Sequence, residues 1–456
     1  MPEKNSVMTR KTETINDWYQ SRFDHFEKSL NGESKSELHQ LRKNAITKFH
    51  ELGFPTTLHE EWRFTNIAPI AKTQFMPVVK FNANGVTAKD IQRYNIGHLK
   101  CSKLVFIDGH FAKEFSSIAN LPKETLVGNL SLMVMHDAQR IHSHLSRSAG
   151  YDENGFTALN TAFMQDGAYI FLPDGAIIED PIYLLFISTV REDAYLSSPR
   201  NLIIAGKHSR VAIIENYVGL GHNTYFTNAI TEIIAGDHAA IEHDKLQNEG
   251  ENAYHVSSIH IRQQAGSNYT SNSVAFGGSI VRNNISALLD AEGIECTLNG
   301  LSLATGSQLV DNHTTIDHAK PRCNSHELYK SILEGKSRGV FNGKIFVRKD
   351  AQKTDAKQTN KTLLLSDDAT IDTKPQLEIF ADDVKCTHGA TVGQLDAEQI
   401  FYLRSRGLGL DAARDILTNA FASDVINKIK IEPLREELQA ILHVRLCRGR
   451  LAASAV

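Results

Sequence analysis

Cysteine is scarce and scattered in this chain. Five occur among 456 residues, at positions 101, 296, 323, 386 and 447, with no close pair. Neither a disulfide framework nor a tight metal knuckle is written there. Long apolar runs are also missing. The stretch from Ile170 to Ile187 is broken by Pro173, Asp174, Glu179 and Asp180, which excludes a membrane span. Charge of one sign is not in excess either. The net charge of −4, with 22% charged residues, argues against a nucleic-acid partner held by broad electrostatics. The opening residues, Met1-Pro-Glu-Lys-Asn-Ser, lack the apolar core of a secretion signal. A reduced, cytoplasmic protein is the expectation.

Nucleotide and hydrolase signatures are absent too. Gly335-Lys336-Ser337 resembles the tail of a phosphate-binding loop, but Lys330 stands where the first glycine is required. The segment reads as a polar turn. No G-x-S-x-G, H-E-x-x-H or strand-borne G-x-G-x-x-G occurs.

What is present divides into three zones, 1–150, 151–395 and 396–456. The first opens with helical spacing: Ile15, Tyr19, Phe23, Phe26 and Leu30 form one apolar stripe. A second helix fits residues 35–52, with Ser34 and Glu37 at capping-box spacing and Gly53 and Pro55 as stops. Glu61-Trp62-Arg63-Phe64 follows, with Trp62 read as a packing anchor. The middle zone shows short β-branched runs between turn residues and no helical period. Ile203-Ile-Ala-Gly206-Lys-His208 is echoed by Ile233-Ile-Ala-Gly236-Asp-His238, an offset of 236 − 206 = 30 residues. Such an echo predicts stacked coils, a parallel β-helix, with a β-sandwich as the competing reading. The last zone returns to helix. Asp396-Ala-Glu-Gln399 opens one, Asp411 caps a second whose face holds Ile416, Leu417, Ala420 and Phe421, and Leu434, Leu438, Ile441, Leu442 and Leu446 form a third stripe. Arg445, Arg448 and Arg450 end it, where the helix dipole favours cations. Such helices pack back on the core or dock on a partner.

Cys386 and His388 are two residues apart in a strand-like run, so both side chains project to one face. A thiolate and an imidazole suit iron or zinc, yet two ligands do not close a site. The bland alternative is a packed thiol beside a solvated imidazole. His313, His318, Cys323 and His326 form the densest run of potential ligands, but their spacing matches no zinc motif and Pro321 interrupts it. On a solenoid such residues simply occupy turn and ladder positions. Asp382 with Asp383, and Asp367 with Asp368, are the only support for a polysaccharide-active β-helix enzyme. Adjacent strand residues point to opposite faces, which weakens both pairs.

Longer ordered strings are more specific. Asp311-Asn-His313 through His318, Ser337-Arg-Gly339-Val-Phe341-Asn-Gly343, Gln352 through Asn360, Lys374-Pro-Gln-Leu-Glu-Ile, Cys386-Thr-His388-Gly-Ala-Thr and Phe401-Tyr-Leu-Arg-Ser-Arg-Gly407 closely resemble the SufB/SufD family of iron–sulfur cluster assembly proteins. The similarity is closest over about Val310 to Leu410, and Glu61 to Asn66 sits where that family has its counterpart. The Cys-Thr-His-Gly-Ala-Thr version favours the SufD branch over SufB. The resemblance implies a mainly β chain, with a right-handed parallel β-helix flanked by N-terminal and C-terminal α-helical domains. It further implies a non-catalytic subunit that pairs with a SufB-like scaffold through the β-helix and carries a SufC-like ABC ATPase on its C-terminal helices. By carry-over, His388 and then Cys386 are candidate interface ligands for a transient iron–sulfur cluster or iron shared with SufB. Phe401, Tyr402, Leu403, Arg404, Arg406, Ile416, Leu417 and Phe421 mark the candidate SufC-docking region. A stand-alone SufB-like scaffold is the alternative within the family.

Overall fold

The computed structural model describes residues 14–30 and 36–453, with side chains described as far as Leu446. Ser34, Arg448 and Arg450 therefore lie outside the described side chains. The first helix, Ile15–Lys28, starts at Thr14, whose hydroxyl accepts from Asp17 N while Asp17 answers with a capping box. It buries Tyr19, Phe23 and Phe26 of the predicted stripe together with Trp18, while Ile15 and Leu30 are half-buried. The second, Glu37–Leu52, is capped by Ser36, which accepts from His39 N. The cap thus falls two residues beyond the predicted Ser34. Gly53, at φ +62°, ends this helix as expected.

A helix also opens the stretch read as purely β. Asn154 accepts from Phe156 and Thr157 N, and all nine residues of Gly155–Phe163 are buried. Its polar residues Thr157, Asn160 and Thr161 recur at helical spacing and are buried with the rest. At Gly155 a Cβ would stand 2.1 Å from Gly53 O, so glycine lets this helix lie against the end of the previous one. Conversely Ser102–Ile107, from the first zone, is a strand that pairs parallel with Ile182–Ser188 and extends one sheet of the core.

The core is a parallel β-solenoid of about eight coils. Each coil supplies one strand to each of two sheets. Parallel pairing from coil to coil excludes the antiparallel sandwich. The sequence echo is the register itself, since Ile203 faces Ile233 and Val211 faces Ile241. Elsewhere the offset runs from 280 − 254 = 26 to 202 − 169 = 33 residues. Corners change length while strand pairing holds, and the repeat fades from the sequence for that reason. One corner keeps a left-handed residue in successive coils. Gly175, His208, His238 and Gly266, all at positive φ, each donate their N–H to a carbonyl of the next coil, at 2.7 to 2.9 Å. Arg322 and Lys353 repeat the arrangement further along. Gly335 of the loop-like Gly-Lys-Ser segment belongs to a different corner, stacked on Gly306. Inside the coils run Ile203, Ile233, Ile259, Ile285 and Ile316 from one sheet and Ile213, Tyr217, Tyr269 and Leu298 from the other.

The C-terminal helices Leu410–Ile426 and Glu432–Ala453 pack back on the outside of the second sheet. Ala422, Val425, Ile426, Leu434, Leu438, Leu442 and Leu446 share a cluster with Ile214, Leu246, Val274, Leu301 and Ile332. Gly409, not Asp411, occupies the cap of the first of these helices. Its inner face is Ala413, Thr418, Ala422, Val425 and Ile426, which puts Ile416 and Ala420 on the outer side. Small residues at 413 and 422 let the helix approach the sheet. Among the described residues no helix is long and apolar enough to cross a membrane.

One ionic cluster fastens the N-terminal arm to the solenoid. The 3-10 turn Glu60–Trp62 lays Trp62 under Arg282, whose guanidinium stands 4.2 Å from the ring centre. Arg282 also donates to Glu61 O at 2.8 Å and to Asp311 Oδ2 at 2.5 Å. Thr65 donates its hydroxyl to the same Asp311 oxygen. His313 lies 3.1 Å from both Glu61 Oε2 and Asp311 Oδ1. Burial opposes ionisation of Asp311, but Arg282 and His313 outweigh it and hold the carboxyl down at about 2. Replacing Arg282 with Met leaves Asp311 buried without its cation and is expected to cost about 3–5 kcal/mol in urea unfolding. Because the folded pKa lies below the ordinary 3.8, the difference from wild type should be full above that value. It should shrink as pH falls through about 2. An unchanged urea midpoint for Arg282→Met, or a difference insensitive to acid, would count against this account.

Candidate functional site

Cys386 and His388 lie on Lys385–Gly393, the last strand of its sheet. Register places Cys386 beside Ala356 and His388 beside Gln358. One coil further in stand Ser325 and Glu327, and beyond them Cys296 and Leu298. Ala356, Gln358, Ser325 and Glu327 are all buried, so both candidate ligands belong to the inward face of the final coil. Among the described residues no further coil stacks on it. Cys386 is half-buried against the cluster of Ile345, Val347, Ala351, Ala356 and Ala381, whereas His388 is exposed. Burial pushes the Cys386 thiol up, and the charge of Asp355 adds to the effect. Cys386 therefore sits at neutral pH as a thiol, and metal binding there must displace a proton.

The remaining sequence candidates do not assemble a second centre. His313 belongs to the cluster under the N-terminal arm. His318 is buried and hydrogen-bonds Ser325 Oγ through Nε2 at 2.9 Å. Cys323 is buried with its Sγ 3.1 Å from Ala291 O, and His326 projects outward from its strand. Among the described residues no three His, Cys, Asp or Glu side chains stand together as a metal site. Asp383 is a corner residue paired with Lys353, and Asp367 lies near Gln394 at 3.5 Å. A cleft of about 800 Å³ between the arm and the first sheet holds Glu60, Glu61, Arg282, His313 and Lys344. Lys344 there pairs with Glu378, and Lys374 reaches Glu60, each at 2.6 Å.

The docking candidates fall into two groups. Helix Ala397–Ser405, capped by Asp396, buries no residue. Phe401 is 74% exposed and Tyr402 57%, Arg404 is exposed and Leu403 half-buried. Arg406 lies over the Tyr402 ring and donates to its hydroxyl at 3.1 Å. Ile416 is exposed on the next helix, and so is Leu410, which sequence reasoning passed over. Leu417 and Phe421 are half-buried. Phe421 serves the fold: Lys330 Nζ stands 4.2 Å from its ring centre and donates to its carbonyl at 2.9 Å. Sequence reasoning also missed Arg282, which lies a full coil from Asp311 and carries no local signal.

Comparison with known proteins agrees with this architecture. Residues 186–421 match the family described as SUF system FeS cluster assembly, SufBD core domain, and residues 13–184 match the SufBD protein N-terminal region. An iron–sulfur cluster assembly SufBD family protein of Synechocystis is 31% identical over 424 residues, covering 91% of this chain and 93% of the relative. The iron–sulfur cluster assembly protein SufD of Escherichia coli is 31% identical over 399 residues, covering 87% and 90%. That of Bacillus subtilis is 27% identical over 298 residues, covering 64% and 67%. The two matches adjoin and span nearly the whole solenoid with its arm, so the chain belongs to the SufBD family of iron–sulfur cluster assembly proteins.

Proposed function

We propose that this chain is the SufD-type subunit of a cluster-assembly complex, pairing with a SufB-like scaffold through the open end of its solenoid. The uncovered final coil is the observation that carries the reading. Its strands Thr370–Ile379 and Lys385–Gly393 each end a sheet, and Phe380, Val392 and Ile379 are exposed beside them. An exposed strand edge flanked by apolar side chains invites a partner strand. Pro375 within the first of these strands fits an edge position, where an N–H can be spared.

His388 would meet the partner at this end, with Cys386 behind it. Iron or a nascent cluster is the cargo, and the partner completes its coordination. A site split across two chains releases its product when the chains move apart. The SufC-like ATPase would dock on the uncovered surface of Phe401, Tyr402, Leu410 and Ile416, and its nucleotide cycle would drive that movement. The family alternative of a stand-alone scaffold is disfavoured by the thiols: Cys296 and Cys323 are buried, and only Cys101 and Cys386 are partly accessible among the described cysteines.

Two experiments separate the parts of this reading. His388→Ala should leave the three subunits co-eluting while the cluster absorption of the reconstituted complex falls to a small fraction of wild type. Wild-type absorption from that variant would remove His388 from the site. For the ATPase, a deletion from Asp411 onward would also strip the cover from Leu246 and Leu301, so surface changes are the cleaner probe. Phe401→Ser with Tyr402→Ser should weaken SufC binding by about 2 kcal/mol or more, roughly 30-fold in Kd, with thermal stability unchanged. Undiminished affinity in a calorimetric titration would place the docking surface elsewhere.

A further inference from the structure

A hydrogen-bond chain inside the solenoid stops one residue short of the open end. Glu327, Gln358 and His388 hold the same register position in successive coils. Their side chains share one face at roughly 4.8 Å spacing. Gln358, 2% exposed, donates from Nε2 to Glu327 Oε2 at 2.5 Å. An amide that turns its nitrogen toward Glu327 turns its oxygen away from it, and Gln358 Oε1 has no donor among the described residues. A buried acceptor left in that state costs about 1–3 kcal/mol. The next side chain outward on that face is His388.

We propose that Gln358, oriented by Glu327, is the positioning residue for His388. Its Oε1 accepts the imidazole N–H that faces the lumen, which fixes the ring and its tautomer. The other ring nitrogen then presents its lone pair to the open end. Ligating histidines are commonly held in this way, by donating their second ring N–H to a carbonyl or carboxylate. Glu327 matters because it decides which end of the amide His388 meets. Without an acceptor at 327 the amide is free to turn and offer His388 a donor instead. The proposal rests on the reading of His388 as an interface ligand, but its test does not depend on cluster assembly.

The test is nitrogen NMR of the full chain with labelled histidine, the His388 signals being identified by their loss in His388→Ala. Above neutral pH the wild type is expected to show a single ring tautomer. Gln358→Met, close in shape but without the amide oxygen, is expected to shift His388 to the tautomer mixture of free histidine. The exchange of Glu327→Gln with Gln358→Glu reverses the inner hydrogen bond yet keeps an oxygen facing His388, and should restore the single tautomer. A single tautomer in Gln358→Met, or a mixture in the exchange variant, overturns the positioning role. Wild-type cluster yield from His388→Ala would instead overturn the function proposed above and leave the tautomer result standing.

Discussion

Everything in this molecule follows from the fact that a parallel coil cannot finish itself. Each strand leaves one edge of N–H and C=O groups and one inward face that only the next coil can satisfy. Seven of the eight coils solve this by stacking. At the beginning, Leu126–Asn129 closes one sheet by pairing antiparallel with Ala168–Leu172, and His110–Phe111 folds back on Ser102–Ile107 to end the other. At the far end no such closure occurs among the described residues, and the last strand of each sheet keeps a free edge. The proposed interface is the place where the stacking constraint remains unmet within this chain.

The helical parts answer the same constraint on the outer faces. Both sheets carry apolar residues outward as well as inward, since parallel sheets are covered on both sides. The C-terminal helices cover Ile214, Leu246, Val274 and Leu301 of one sheet. The N-terminal helices, with Phe156 and Phe163, cover Leu196, Phe226 and Val256 of the other. The first sheet adds a charged fastening at Arg282 and Asp311, both buried. Hydrophobic cover alone leaves the angle of the arm loosely defined, whereas two hydrogen bonds and an ion pair of fixed direction define it. Helix Ala397–Ser405 buries none of its own residues, which distinguishes it from the helices that serve the fold.

Sequence reasoning reached the architecture because register leaves a trace wherever two corners have equal length. Ile203 and Ile233 are in step in the sequence and paired in space. The trace vanishes at Tyr254 and Ile280, which pair just as firmly at a shorter offset. The helix at Gly155 to Phe163 carries a helical period in Thr157, Asn160 and Thr161, but at nine residues it is short, and sequence reasoning passed over it. Cap positions slipped by two residues, at Ser36 and at Gly409, since several hydroxyl, acidic or glycine residues crowd each helix start and only packing selects among them. At the site, the i and i + 2 spacing of Cys386 and His388 put them on one face. The sequence held no sign that this face was the inner one, nor that Gln358 and Glu327 lay beneath it. Those neighbours are 30 and 61 residues away (388 − 358 and 388 − 327), joined to His388 only by coil stacking.

The inward direction of the two candidate ligands changes how the proposed site would work. A ligand on the outer surface is hydrated and free to rotate, whereas one at the lumen mouth has a dry wall behind it. That wall raises the cost of charging Cys386, and Asp355 raises it further. The thiol can become a ligand only when a metal ion or a positive group from another chain arrives to hold the thiolate. An imidazole ligates through a neutral lone pair and meets no such barrier. On the proposed function, burial sets the order of engagement: His388 first, from the exposed side, and Cys386 once a partner has closed the coil and brought its charge. On that reading the Cys386 thiol stays protonated while the chain is alone, which suits the proposed role within an assembly.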